Sequence, residues 1–175
     1  LNNQSAFTVK FNGQIARVIH TPVRVADSAN RQTIKEFHAI WDTGASGSLI
    51  TEKIVRELNL KPVGPARVKT TGGERQTNRF LVDIYLPNNV RVINLEATEG
   101  SIDDVSDVLI GMDIISLGDF AITNSNKQTV FSFKMPSTEE IDFVKIVDMR
   151  KAIAERKLKP QRNDLCPCGS GKKYK

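Results

Sequence analysis

The sequence predicts a mostly β domain followed by one C-terminal helix. Three observations carry this expectation. Apolar and polar residues alternate with the two-residue period of a half-buried strand, first at Phe7, Val9 and Phe11 and most plainly at Phe80, Val82, Ile84 and Leu86. Clusters of turn-forming residues, Asp27-Ser28-Ala29-Asn30, Pro87-Asn88-Asn89 and Asn124-Ser125-Asn126-Lys127, punctuate these runs. Helical spacing of apolar residues is confined to short stretches near 51–60 and 112–117 and to the region after Pro136.

Taken in order, residues 7–11 read as a strand that Gly13 breaks, and residues 15–18 read as its hairpin partner. Val23 and Val25 mark a further strand. Residues 34–41 form another, which runs straight into Asp42. Residues 51–60 suit a short helix with Ile54, Val55 and Leu58 on one face and Thr51 as its cap. Residues 68–75 read as a hairpin about Gly72-Gly73, and residues 80–86 and 90–97 as a pair of strands. Val108-Leu109-Ile110 is a wholly apolar strand ending at Gly111. Residues 120–123 and 129–133 form the last hairpin. Ser137 and Glu140 have the spacing of a capping box, and Ile141, Val144, Val147 and Ile153 suit a helix that stops before Pro160.

At 175 residues, the chain has room for one domain with a real core and a short appendage. A hydrophobic share of 39% and a charged share of 26% point to a soluble globular protein. No run approaches the roughly 20 apolar residues of a membrane span, and no basic-then-apolar leader opens the chain. The net charge of +5 is uneven: residues 150–175 hold nine Lys or Arg against two acids, so the excess sits in the tail. A basic tail suits an acidic partner. Cys166 and Cys168 are too close together for a disulfide framework and suit a metal better. His20 and His38 stand isolated in strand patterns, without metal-site spacing, and Trp41 reads as packing.

The order of strand, Asp42-Thr43-Gly44-Ala45-Ser46, short helix, glycine-tipped hairpin Thr71-Gly72-Gly73-Glu74 and Val108-Leu109-Ile110-Gly111-Met112-Asp113 resembles the retropepsin-like aspartic proteases, the family of the retroviral proteases. The resemblance spans residues 6 to 135. It implies a closed, barrel-like acid-protease fold and an aspartic endopeptidase with catalytic Asp42, Thr43 and Gly44 and no catalytic cofactor. It also implies that Ala45, Thr71, Gly72 and Gly73 meet a peptide or protein substrate, that Thr43 locks two active-site loops through its hydroxyl, and that Gly111 lies beneath the loop bearing Asp42. The chemistry suits these residue types. Two carboxyls a few ångströms apart share one proton, so one can take a proton from water while the other donates to the carbonyl oxygen. The chain holds a single Asp-Thr-Gly. Asp83, Asp107 and Asp113 lack the residues that follow a catalytic aspartate, so the second carboxyl is expected from Asp42 of a second copy in a homodimer. The alternative is a non-catalytic dimerisation or interaction module on the same fold.

The last 16 residues, with Cys166-Pro167-Cys168-Gly169-Ser170-Gly171-Lys172-Lys173-Tyr174-Lys175, resemble the SEC-C motif, the small zinc-binding tail of the bacterial preprotein translocase motor. That resemblance implies a bacterial, cytoplasmic protein whose Cys166 and Cys168 bind zinc and whose tail docks to ribosome or chaperone. Neither membrane contact nor direct DNA binding is expected. Two thiolates are half of a tetrahedral set, so the motif reads as partial, with no well-formed zinc site in this chain and disorder from about residue 160. The domain expectation is residues 1–135 for the protease, 136–159 for a helical linker and 160–175 for the partial zinc motif.

Ala45 generates one prediction. Pepsin-like relatives often place Ser or Thr there, whose hydroxyl bonds the ionised carboxylate, and Ala cannot. The pH–rate profile should therefore peak nearer neutrality than pepsin's, and a maximum below about pH 3 would contradict this.

Overall fold

The structure, a computed structural model, describes residues 4–70, 73–158, 165–166 and 169–173. Two compact units divide the chain, Leu1–Thr138 and Glu139–Lys175. The first runs β1 (Ser5–Phe11), β2 (His20–Asp27), β3 (Ile34–Trp41), β4 (Leu49–Ile50), α1 (Glu52–Glu57), β5 (Gly64–Thr70), β6 (Gly73–Tyr85), β7 (Arg91–Glu99), β8 (Val108–Ile110), α2 (Met112–Ile115), β9 (Asp119–Thr123) and β10 (Thr129–Met135). It is mostly β, as the alternation predicts.

Seven strands form one sheet in the order β2-β3-β8-β4-β7-β6-β5. The sheet also returns on itself, because Val82–Tyr85 of β6 pairs with Arg24–Asp27 of β2. Six strands thus surround a core in which Val25, Ala39, Ile50, Val82, Ile84 and Ile110 are wholly buried. Residues 68–75 and 80–86, read separately from the sequence, belong to one arm: β6 is a single strand of 13 residues. Its first half leaves the ring with β5 as a long hairpin, Gly64↔Arg79 to Thr70↔Gly73.

The remaining strands form a second sheet, β1-β10-β9. Here the predicted hairpin of residues 7–11 with 15–18 does not form. Residues 15–18 are irregular, with Ile15 50% and Val18 44% exposed. β1 pairs instead with β10, setting Phe7 opposite Phe133. The reason is burial. Phe7 is 3% exposed in that register, with its ring 5.9 Å from that of Phe131 and 6.0 Å from that of Phe133. Residues 15–18 have no comparable apolar surface to offer.

Thr51 precedes α1, but its hydroxyl makes no capping bond and is buried without a partner. The capping box at Ser137 and Glu140 also fails to form, since the Ser137 hydroxyl donates to Asp119 in the first unit. The helix of the second unit, α3 (Phe143–Leu158), is capped by Asp142, whose Oδ1 accepts from the N–H groups of Val144 at 2.9 Å and Lys145 at 3.0 Å. The Lys145 N–H bond holds the Asp142 carboxyl below its ordinary pKa. Among the described residues no helix is long and apolar enough to cross a membrane.

Asp83 is 1% exposed and sits where Val82↔Leu95 shifts to Ile84↔Val92 between β6 and β7. The bulge is accommodated by Asn94 at φ 55°. Asp83 accepts from the Ser28 hydroxyl at 2.7 Å, the Asn94 N–H at 2.9 Å and Arg31 Nε. Burial pushes its pKa up, but these donors outweigh burial and hold it below the ordinary value. All three partners are donors, so the –NH₂ of an Asn would face a donor. We expect Asp83→Asn to lower stability by about 2 kcal/mol at pH 7 in urea melts. A depressed folded pKa stabilises above the unfolded value and loses that contribution as pH falls through the folded value. The gap between wild type and variant should therefore narrow below about pH 4, and a gap that widened in acid would contradict the assignment.

Candidate active site

Asp42 follows β3 directly. Trp41, the residue before it, fixes the end of that strand. Its indole N–H donates to Thr21 Oγ1 at 3.0 Å, and its ring lies 4.8 Å from that of Phe131 and 5.1 Å from that of Phe133. Aromatic side chains of the second sheet thus pack against the strand that carries Asp42, and Trp41 serves packing as the sequence suggests.

The loop after Trp41 is tied to β8 and α2. The Asp42 N–H donates to the Ile110 carbonyl at 3.0 Å, and the Met112 N–H to the Ala45 carbonyl at 2.8 Å. Ser48 is 1% exposed. Its N–H and hydroxyl donate to the two carboxylate oxygens of Asp113 at 2.8 and 2.7 Å, and its Oγ accepts the Gly111 N–H at 3.1 Å. Gly111 lies against the loop: a Cβ there would stand 2.6 Å from the carbonyl carbon and oxygen of Gly47 and 3.0 Å from the Ala45 oxygen. Only glycine fits that approach.

Within this frame Asp42 is half-buried and Thr43 and Gly44 are exposed. The Gly44 N–H donates to Asp42 Oδ1 at 2.8 Å, and a Cβ on Gly44 would come within 3.1 Å of that oxygen. The Thr43 hydroxyl has no hydrogen-bond partner among the described residues. Asp42, Thr43, Gly44 and Ala45 therefore stand together. Gly73, at φ +113°, opens β6 at the hairpin tip, while Thr71 and Gly72 lie outside the described residues. A hollow of about 300 Å³ opens beside Asp42 and Thr43, with Arg17, Ile40, Ile115 and Phe120 among its walls. Another hollow, about 200 Å³ and lined by Pro22, Arg24, Glu36 and Tyr85, touches none of these residues.

In the tail, the Cys166 N–H donates to the Lys172 carbonyl at 2.8 Å, the Gly169 N–H to the Cys166 carbonyl at 3.1 Å, and Leu165 bridges to Lys173. Gly169 and Gly171 are at positive φ; residues 160–164, 167–168 and 174–175, where the expected disorder mostly falls, lie outside the described residues. Cys168 lies outside the described residues. Among those described, no three His, Cys, Asp or Glu side chains gather as a metal site would require.

Sequence reasoning missed Ser48 and Asp113, which hold the loop, and Arg17, which lines the hollow. Asp113 closes a motif the sequence shows, but its role comes from a pairing with Ser48 across 65 residues of chain; no motif marks Ser48 or Arg17.

The sequence profile of the aspartyl protease family matches residues 21–114, and that of the SEC-C motif matches residues 162–175. The chain belongs to the aspartyl protease family. Protein translocase subunit SecA of Pelodictyon phaeoclathratiforme is 83% identical over 24 residues, which is 14% of this chain. The chain spans only 2% of that curated relative's length. Among solved structures, a retropepsin-like aspartic protease from Rickettsia conorii is similar at a TM-score of 0.48 and 14% identity, covering 75% of this chain and 95% of that one. EIAV protease, solved with an inhibitor, gives 0.43 and 19% over 57% and 86% of the two chains. Simian foamy virus protease gives 0.37 and 18% over 53% and 89%.

Gly111→Ala tests the loop anchor. The added methyl cannot fit beneath Gly47 without moving the loop, and such overpacking costs about 1–3 kcal/mol. We expect a lower melting temperature and greater exposure of the 42–48 amides in hydrogen exchange. Unchanged exchange would contradict the anchoring role.

Proposed function

We propose that this protein is an aspartic endopeptidase that works as a homodimer, with Asp42 of each copy contributing one carboxyl to the catalytic pair. One observation carries the reading: the Asp42 carboxylate is held on a loop fixed to β8, with one oxygen bonded to the Gly44 N–H and the hollow beside it. Membership of the aspartyl protease family supports it.

In this mechanism the two carboxyls share a proton because ionising both at close range is costly. The ionised one takes a proton from a water held between them. The resulting hydroxide attacks the peptide carbon, while the protonated carboxyl donates to the carbonyl oxygen. The tetrahedral intermediate then collapses. The C–N bond breaks, and the departing nitrogen takes a proton from the pair. The Gly44 N–H bonds Asp42 Oδ1 and helps orient the carboxyl. Thr43, exposed and with its hydroxyl unpartnered among the described residues, would bond across the two-fold axis. The β5–β6 hairpin, whose β6 opens at Gly73, would close over an extended substrate. In the tail, Cys166 and Cys168 would be two of the ligands to a structural zinc completed by further donors, and the basic segment would dock to ribosome or chaperone.

Purified wild type and Asp42→Asn, incubated with a mixed peptide library between pH 3 and 8, test this reading. Wild type should cleave and sediment as a dimer. The variant should keep the dimer and lose at least about 1,000-fold in kcat/KM. Retained cleavage by the variant, or a wild type that is monomeric while it cleaves, would refute the proposal.

A further inference from the structure

The hollow beside Asp42 contains two charges, Asp42 itself and Arg17. Its other walls are Thr43 and apolar side chains such as Ile40, Ile115, Phe120 and Ile122. Arg17 is exposed and has no ion pair among the described residues. This differs from the chain's buried acids: Asp83 is matched by Arg31, and Asp107 by Lys53 at 3.0 Å.

The backbone that carries Arg17 is fixed on both sides. The Ala16 N–H donates to Thr129 Oγ1 at 2.8 Å. Thr129 is wholly buried, its hydroxyl donates to Asn124 Oδ1 at 2.6 Å, and its N–H donates to the Gln14 carbonyl at 3.1 Å. Two residues beyond Arg17, the Ile19 carbonyl accepts the Trp41 N–H at 3.0 Å. Residues 14–19 are thus irregular yet anchored, and between the anchors a guanidinium is left over at the wall of the cleft. Guanidinium stays charged at any working pH and offers paired donors to a carboxylate. An acidic side chain entering this hollow would otherwise meet only apolar walls and the negative charge of the catalytic pair.

We infer that Arg17 is a specificity-determining residue that makes the cleft select peptides with a carboxylate at the position seated beside Asp42. This rests on the peptidase reading. The carboxylate could belong to a Glu or Asp side chain or to a peptide C-terminus. The free-acid chemistry is the same, so the test must separate the two sources.

The experiment measures kcat/KM on matched peptides that differ only by Glu, Gln or Lys, scanned through each position around the cleaved bond, each with a free and an amidated C-terminus. Wild type should prefer Glu over Gln at one position by roughly three- to fivefold, the range of a solvent-accessible ion pair. The preference should hold in the amidated series and fade toward unity near 1 M salt. In Arg17→Gln the ratio should fall to about one, Arg17→Lys should retain it, and Arg17→Glu should favour Lys. A preference seen only with free C-termini would assign the cation to a terminal carboxylate and overturn the side-chain assignment. Equal rates on Glu and Gln in wild type, or a Glu preference that survives in Arg17→Gln, would overturn the inference while leaving the peptidase standing. So would an Arg17→Gln variant that loses only its dimer, with the ratio unchanged. Failure of wild type to cleave any peptide would sink the peptidase reading itself and Arg17's role with it.

Discussion

Everything at the site depends on the approach of Gly111 to the Gly47 carbonyl. With no side chain at either residue, β8 lies directly beneath the loop that bears Asp42. The Asp42 N–H then reaches the Ile110 carbonyl, the Met112 N–H reaches the Ala45 carbonyl, and Ser48 reaches Asp113. Each bond is ordinary in strength, but together they fix a short loop at both ends and underneath. A carboxylate on such a loop keeps its orientation without a rigid neighbour of its own, which is what the proposed pairing with a second carboxyl needs.

The same logic extends outward from the loop. Trp41 is gripped by Phe7, Phe131 and Phe133 of the second sheet, so the strand entering the loop cannot swing. Thr129, on β10 of that sheet, also anchors residues 14–16. One small three-stranded sheet therefore positions two features of the cleft at once, the strand that ends at Asp42 and the segment with Arg17. The buried acids have the opposite role. Asp83 and Asp107 accept hydrogen bonds on both oxygens from neighbouring elements and tie those elements to the ring of strands. Their partners leave no oxygen suited to chemistry.

Much of this was legible in the sequence, and the limits are physical. Strand β3 over residues 34–41, with Asp42 at its end, was legible, and so was β8 from three consecutive apolar residues. The steric role of Gly111 followed from family resemblance. β4 was invisible because two residues carry no period. Residues 15–18 read as a strand beside β1, yet their fate was decided by Phe7 finding an aromatic face more than 120 residues away. The helix cap went to Asp142 rather than Ser137 because Ser137 is taken by Asp119, a tertiary contact that no local pattern announces. Ser48 and Arg17 have no motif of their own, and the Asp113 motif does not announce its bonds to Ser48, so only the folded chain gives them a role.

A single Asp-Thr-Gly in the chain makes the central claim one of stoichiometry: two chains build one site. Calorimetric titration with a statine-type inhibitor, whose hydroxyl mimics the tetrahedral intermediate, tests it most directly. The account predicts saturation at one inhibitor for every two chains, with no binding to Asp42→Asn. Saturation at one inhibitor per chain would contradict it.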